Sequence, residues 1–204
     1  MNHRRFRAAV LAATLLSGIA LDAVAGKFNR KLDIGDSAPR FQGLAGVDGK
    51  QHGLDDYKDA KLLVLCFTCN HCPVASAYEE RFIEFAKRYR EAGVAFVAVS
   101  VSVFPPDRLE KMKERAAKSG FNFDYLADET QETGRAYGAT VTPHLFVLDK
   151  QRKVAYMGAF DDSMHATKVK YHYVRDAVDA LLAGKTPEVT ESLQRGCEIE
   201  YEAE

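Results

Sequence analysis

Leu62-Leu63-Val64-Leu65-Cys66-Phe67-Thr68-Cys69-Asn70-His71-Cys72-Pro73 is the stretch that decides the architecture. Its first six residues form an unbroken apolar run, too short for a helix and without alternation, the pattern of a strand covered on both faces. Pro73 suits the first position of a helix, where a missing N–H costs nothing. Beyond it Tyr78, Phe82, Phe85, Ala86 and Tyr89 recur at helical spacing, with Glu79, Glu80, Glu84, Lys87 and Arg88 between them and Gly93 as a stop. A strand handing over to an amphipathic helix is therefore expected, with Cys69 and Cys72 at the junction.

The pattern continues outward. Val94 to Val101 reads as a second buried strand. Pro105-Pro106 opens a charged helix to Ser119, closed by Gly120, and a shorter helix is expected from Thr130 to Tyr137 with Asp128 as its N-cap. Strands Leu145–Leu148 and Lys153–Ala159 are joined through Asp149-Lys150-Gln151-Arg152, and a last helix is expected over His165–Leu182 before Gly184. Upstream, Val47-Asp48-Gly49-Lys50 has the chemistry of a tight hairpin. The order predicts an α/β fold, a single domain with a central mixed sheet flanked by helices on both faces. The expected organisation is a signal peptide over residues 1–25, a domain over 26–185 and an acidic tail over 186–204, whose place in the fold the pattern leaves open.

Residues Met1 to Arg7 carry Arg4, Arg5 and Arg7, residues Ala8 to Leu21 are apolar or small, and Ala23-Val24-Ala25 supplies a small-x-small cleavage pattern, the build of a secretory signal. The apolar run is shorter than the roughly 20 residues needed to span a bilayer. Export is expected, with cleavage after Ala25, a periplasmic or other extracytoplasmic location and no stable membrane insertion. The whole chain has 204 residues, 28 Lys+Arg against 29 Asp+Glu and a net charge of −1, which gives no electrostatic reason to bind nucleic acid. Four cysteines are too few for a disulfide scaffold, and thiols outside the cytosol form and exchange disulfides.

Two cysteines separated by two residues at a strand-to-helix junction suit that exchange. The first thiol is expected to cap the helix, whose unpaired N–H groups stabilise a thiolate, and the second to lie one turn on, near enough to resolve a mixed disulfide. Cys69 is then the attacking sulfur and Cys72 the resolving one, less exposed. Cys66, inside the strand, reads as a small core hydrophobe. Cys197 has three readings: a free thiol, a partner for Cys66, or a resolving thiol that docks on the site. Tyr78, Phe82, Phe85 and Tyr89 read as core.

The chain resembles the thioredoxin-fold redoxins of the alkyl hydroperoxide reductase/thiol-specific antioxidant (AhpC/TSA), TlpA-like branch. The resemblance runs from Ile34-Gly35-Asp36-Ser37-Ala38-Pro39-Arg40-Phe41 through Asp48-Gly49-Lys50 and the Cys69–Cys72 motif. It continues in Thr130-Gln131-Glu132, Ala136-Tyr137-Gly138, Val141-Thr142-Pro143 and Leu145-Phe146-Val147-Leu148-Asp149. It implies a thioredoxin-like fold and a thiol-disulfide oxidoreductase acting on protein thiols and disulfides together with a redox partner that recycles it. It also implies a cis Thr142–Pro143 bond beside the cysteines, with Thr142, Pro143 and His144 as the substrate-binding turn. His71 before the second cysteine is similar to disulfide isomerases and oxidases, where the imidazole stabilises the thiolate. This implies a couple more oxidising than thioredoxin's roughly −270 mV. Thioredoxins carry a buried acid where this chain has Leu63, so proton transfer from Cys72 needs another group, for which His144 is the candidate.

Two alternatives stand beside this reading. A thiol peroxidase would use Cys69, but no cysteine here completes the peroxiredoxin pattern P-x-x-x-T-x-x-C. A copper(I)-binding chaperone would use Cys69, Cys72 and His144, although such chaperones usually space their cysteines by three residues. No organic cofactor and no resident metal are expected.

Overall fold

The apolar run forms strand β3, Leu62–Thr68, with every residue buried, as a strand lacking alternation must be. The computed structural model describes residues 26–203; the expected signal peptide lies outside them. Around β3 stand β1 (Leu44–Gly46), β2 (Gln51–His52), β4 (Val94–Ser100), β5 (Asp124–Ala127), β7 (His144–Leu148) and β8 (Val154–Gly158), in a seven-stranded sheet of order β2-β1-β5-β4-β3-β7-β8. β3, β4 and β5 run parallel, and the outer pairs are antiparallel, so the sheet is mixed. A separate two-stranded sheet joins β6 (Val141–Thr142) to β9 (Cys197–Glu198).

Side chains of β3 alternate between two cores. Leu62, Val64 and Cys66 pack with Phe82, Phe85 and Tyr89 of α2 (Glu79–Tyr89), Met112 of α3 (Leu109–Ser119) and Val174, Ala177 and Val178 of α5 (Tyr173–Leu182). Leu63, Leu65 and Phe67 pack on the other face with Leu32, Phe41, Leu54, Tyr57 and Tyr137, the last from α4 (Glu132–Tyr137). Cys66 is a fully buried member of the first core, as its place in the strand implied.

The helix expected to run unbroken from Pro73 is divided. A single turn, α1 (Pro73–Ser76), precedes α2. At the break Ala77 N–H bonds the Val74 carbonyl and Tyr78 N–H that of Ala75, both i→i+3, which tightens the backbone out of α geometry. Tyr78 lies under the Arg81 guanidinium, 3.9 Å from ring centroid to Cζ. The last helix also begins later than periodicity suggests, at Tyr173. Asp162 Oδ1 accepts from Lys170 and Tyr171 N–H, and Arg81 donates to the Ser163 and Met164 carbonyls, so the preceding residues are held as a loop. Before α4, Gln131 rather than Asp128 is the N-cap and takes a left-handed conformation (φ 61). Asp128 still serves the helix from below, accepting from Gly134 N–H at 3.0 Å. Strand β5 was not anticipated.

The tail returns over the domain. Ser192 Oγ bonds Tyr156 Oη at 2.6 Å and accepts from Ala159 N–H. The Gln131 amide donates to the Glu200 carbonyl and accepts from Glu202 N–H, both at 2.8 Å. Between these anchors lies Cys197, paired in register with Thr142. No described helix is long and apolar enough to cross a membrane.

Candidate active site

β3 ends at Thr68, and the chain turns through Cys69-Asn70-His71 before α1 begins. Pro73 occupies the first helical position, so Cys72 and not Cys69 is the N-cap; its sulfur accepts from Ala75 N–H at 3.3 Å. The expected geometry is thus displaced by one cysteine. Because α1 is one turn long, the sulfur is stabilised by individual donors and not by a long helix dipole.

Opposite the turn, β6 leads into a cis Thr142–Pro143 bond, as the resemblance implied. Thr142 touches both sulfurs: its Oγ1 lies 3.5 Å from Cys69 Sγ, and its carbonyl oxygen lies 3.1 Å from Cys72 Sγ, accepting from it when that thiol is protonated. Cys72 is fully buried, whereas Cys69 keeps 4% of its surface. All four cysteines are free thiols. Cys69, Cys72 and Cys197 pack together against Val74 and Ala75, away from Cys66 in the core.

Cys69 and Cys72 pack together, so they lose protons as a pair. The first proton leaves easily: the Cys69 S–H bond, aided by Cys197, Thr142 and Ala75, outweighs burial and draws Cys72 down to about 4. The second is held tightly, because Cys69 is the donor of that bond, is buried and faces the Asp107 carboxylate, all of which push its pKa up.

Asp107 is the site residue that sequence reasoning missed. It follows Pro105-Pro106 in a 3-10 turn and is buried. Its carboxylate accepts Asn70 N–H at 2.6 Å, His71 N–H at 3.1 Å and the Ser102 hydroxyl at 2.5 Å, and it also holds His71 Nδ1. It thereby fixes the backbone between the cysteines. Asn70 is held further, its amide donating to the Pro106 carbonyl and its Oδ1 accepting from Tyr125 Oη. The only sequence signal was an acid after a proline pair, which serves equally as a helix start.

His71 therefore sits near Cys69 in a carboxylate's grip; the donor atoms of Cys69, His71 and Asp107 lie within 4.8 Å of one another. Among the described residues this is the set whose potential ligands converge, not the Cys69, Cys72, His144 set of the copper reading. His144 is buried on β7 against Phe146, its ring 4.7 Å away, and its Nδ1 has no partner. Burial draws its pKa down to about 3, so it is neutral at physiological pH.

That burial has a measurable consequence. The unfolded chain takes up a proton at His144 near pH 6.5 and the folded chain only near 3. Stability contributed by the neutral ring is full above 6.5 and is lost progressively as pH falls towards 3. Between pH 7 and 5 the loss from this residue is about 2 kcal/mol. Urea unfolding at the two pH values is expected to show that decline in the parent and a flatter one in His144→Leu.

Free thiols set against a Thr–cis-Pro turn at the end of a central strand define a thioredoxin-like redoxin. The model of the AhpC/TSA family matches residues 34–157, and the chain belongs to that family, falling among its relatives with the thiol-disulfide oxidoreductases. The thiol-disulfide oxidoreductase ResA of Geobacillus thermodenitrificans is 30% identical over 147 residues, covering 71% of this chain and 81% of its own length. An uncharacterized conserved protein from Geobacillus kaustophilus superposes with a TM-score of 0.80 at 34% identity, over 86% of this chain and 96% of that one. The thioredoxin domain of a thiol-disulfide oxidoreductase from Bacteroides vulgatus shares the fold, with a TM-score of 0.53 at 17% identity over 60% of this chain and 86% of that one.

Proposed function

We propose that the protein is an exported thiol-disulfide oxidoreductase that acts on protein disulfides through a Cys69–Cys72 couple. The observation that carries this reading is the packing of two free thiols, Cys69 and Cys72, against the Thr142–Pro143 turn, with Cys72 fully buried and Cys69 keeping a small accessible surface. The first proton of the pair leaves readily and the second is held, so at neutral pH the two sulfurs share one proton. Placing that proton on Cys72 puts the negative charge on Cys69, the one of the two that keeps some accessible surface. Cys69 then attacks a substrate disulfide, forming a mixed disulfide and expelling the substrate's other sulfur as a thiolate. Cys72 attacks Cys69 in turn, and the substrate leaves reduced while the pair is oxidised. Run backwards, the same steps oxidise a substrate dithiol.

A polypeptide substrate fits the surroundings. A groove of about 650 Å³ runs beside Pro143, lined by Val74, Tyr78, Met164, Tyr171 and Leu193, of which Met164, Tyr171 and Leu193 are exposed. Thr142, Pro143 and His144 remain the proposed substrate turn, with His144 contributing backbone, since its ring is buried. His71 is assigned to tuning the thiolate through its place near Cys69. Export rests on residues 1–25, followed by the domain over 26–185 and the tail.

Redox titration of the mature protein, with each cysteine mapped by mass spectrometry, tests the assignment. A reversible Cys69–Cys72 disulfide with a potential above roughly −270 mV is expected. Failure of these two sulfurs to form a reversible disulfide would overturn it.

A further inference from the structure

The tail brings a third thiol to the pair, at a place the two-cysteine reaction does not use. β9 pairs antiparallel with β6, and the register sets Cys197 opposite Thr142, the residue that contacts both site sulfurs. The approach is so close that a Cβ on Gly196 would lie 1.9 Å from the Thr142 carbonyl oxygen, so only glycine lets the strand settle there. Cys197 packs with Cys69, Cys72, Val74 and Ala75 in one cluster. Unlike Cys72, it is partly exposed. The strand is held from both sides by Ser192 and by the Gln131 contacts to Glu200 and Glu202.

We propose that Cys197 is a third redox thiol of this site, exchanging with the oxidised pair at Cys72 to give a Cys72–Cys197 disulfide. The inference rests on the Cys69–Cys72 couple proposed above. In the exchange the Cys197 thiolate attacks Cys72 Sγ; the Cys72–Cys197 bond forms, the Cys69–Cys72 bond breaks, and Cys69 leaves as a thiolate. The proton lost by Cys197 goes to solvent, and no net oxidation occurs. The oxidising equivalent thus moves from a pair whose second sulfur is fully buried to one whose second sulfur reaches the surface. A protein thiol can take it there by attacking Cys197.

The chemistry of the reduced site fits this order of events. Burial, together with the bond to Cys72 and its charge, pushes the Cys197 pKa up to about 11, which keeps it a protonated donor while Cys72 is the thiolate. Once Cys72 is in a disulfide its negative charge is gone, and that part of the upward push goes with it.

The test uses the full mature chain, oxidised with a small disulfide, quenched in acid, alkylated and mapped by mass spectrometry. In the parent protein, Cys72–Cys197 is expected in at least about a tenth of oxidised molecules beside Cys69–Cys72. Cys69→Ser is expected to form Cys72–Cys197 as its main intramolecular disulfide. Gly196→Ala keeps all four thiols but pushes β9 off Thr142, and is expected to lower the Cys72–Cys197 share at least about fivefold while Cys69–Cys72 persists. If Cys69–Cys72 forms in the parent and Cys197 stays alkylatable there and in Cys69→Ser, the relay is overturned and the couple stands. If Cys69–Cys72 does not form in the parent, the couple itself fails.

Discussion

Replacing Cys69 with serine is expected to lower the rate of exchange with a protein disulfide by at least about a thousandfold. A serine hydroxyl stays protonated where a thiolate forms, and the nucleophile in exchange is the thiolate. Cys72 cannot take over, because it has no exposed surface. Cys72→Ser is expected to behave differently. Cys69 keeps its small accessible surface, so attack continues, but it loses the neighbour that shares its proton and the sulfur that resolves the product. A mixed disulfide between Cys69 and substrate should then accumulate and survive gel electrophoresis without reductant. Equal residual rates for the two variants, with no trapped species in either, would remove the distinction between attacker and resolver.

The parts of the fold legible in the sequence are those where burial writes a pattern. β3 and β4 show as unbroken apolar runs because both faces are covered, and α2 shows as a stripe because one face is. Thr142-Pro143 was legible through a resemblance and not through periodicity, which carries no signal for a two-residue strand. β9 is equally short, and its partner Thr142 is 55 positions away, so nothing local announces that the tail closes over the site. Local hydrogen bonds explain the displaced helix boundaries: Asp162 and Arg81 hold the chain before α5 in a loop that a periodic count reads as helix. The cap at Cys72 was within reach of sequence reasoning, since Pro73 at the first helical position makes the residue before it the N-cap. Asp107 was not, because its partners are two backbone amides and a ring some 36 residues earlier in the chain, a relation no motif records.

Asp107 is where the largest loss of stability is expected. Its carboxylate is buried and takes donors from Asn70, His71 and Ser102, so Asp107→Ala removes the acceptor and leaves the Asn70 and His71 N–H groups facing an apolar methyl. A fully buried orphaned donor costs about 1–3 kcal/mol, and these two are only partly buried, so the cluster together should cost about 2–3 kcal/mol. Asp107→Asn keeps one acceptor oxygen and should cost about 1–2 kcal/mol, read as the shift in a urea unfolding midpoint. The second variant also separates scaffolding from chemistry. The Asp107 charge is among the causes that hold the Cys69 pKa up, so neutralising it lowers that pKa and moves the pH profile of Cys69 alkylation to more acid values. A residue that merely braced the loop would shift the unfolding midpoint and leave the profile in place. Movement of both assigns Asp107 to positioning the active turn and to setting how readily Cys69 gives up a proton.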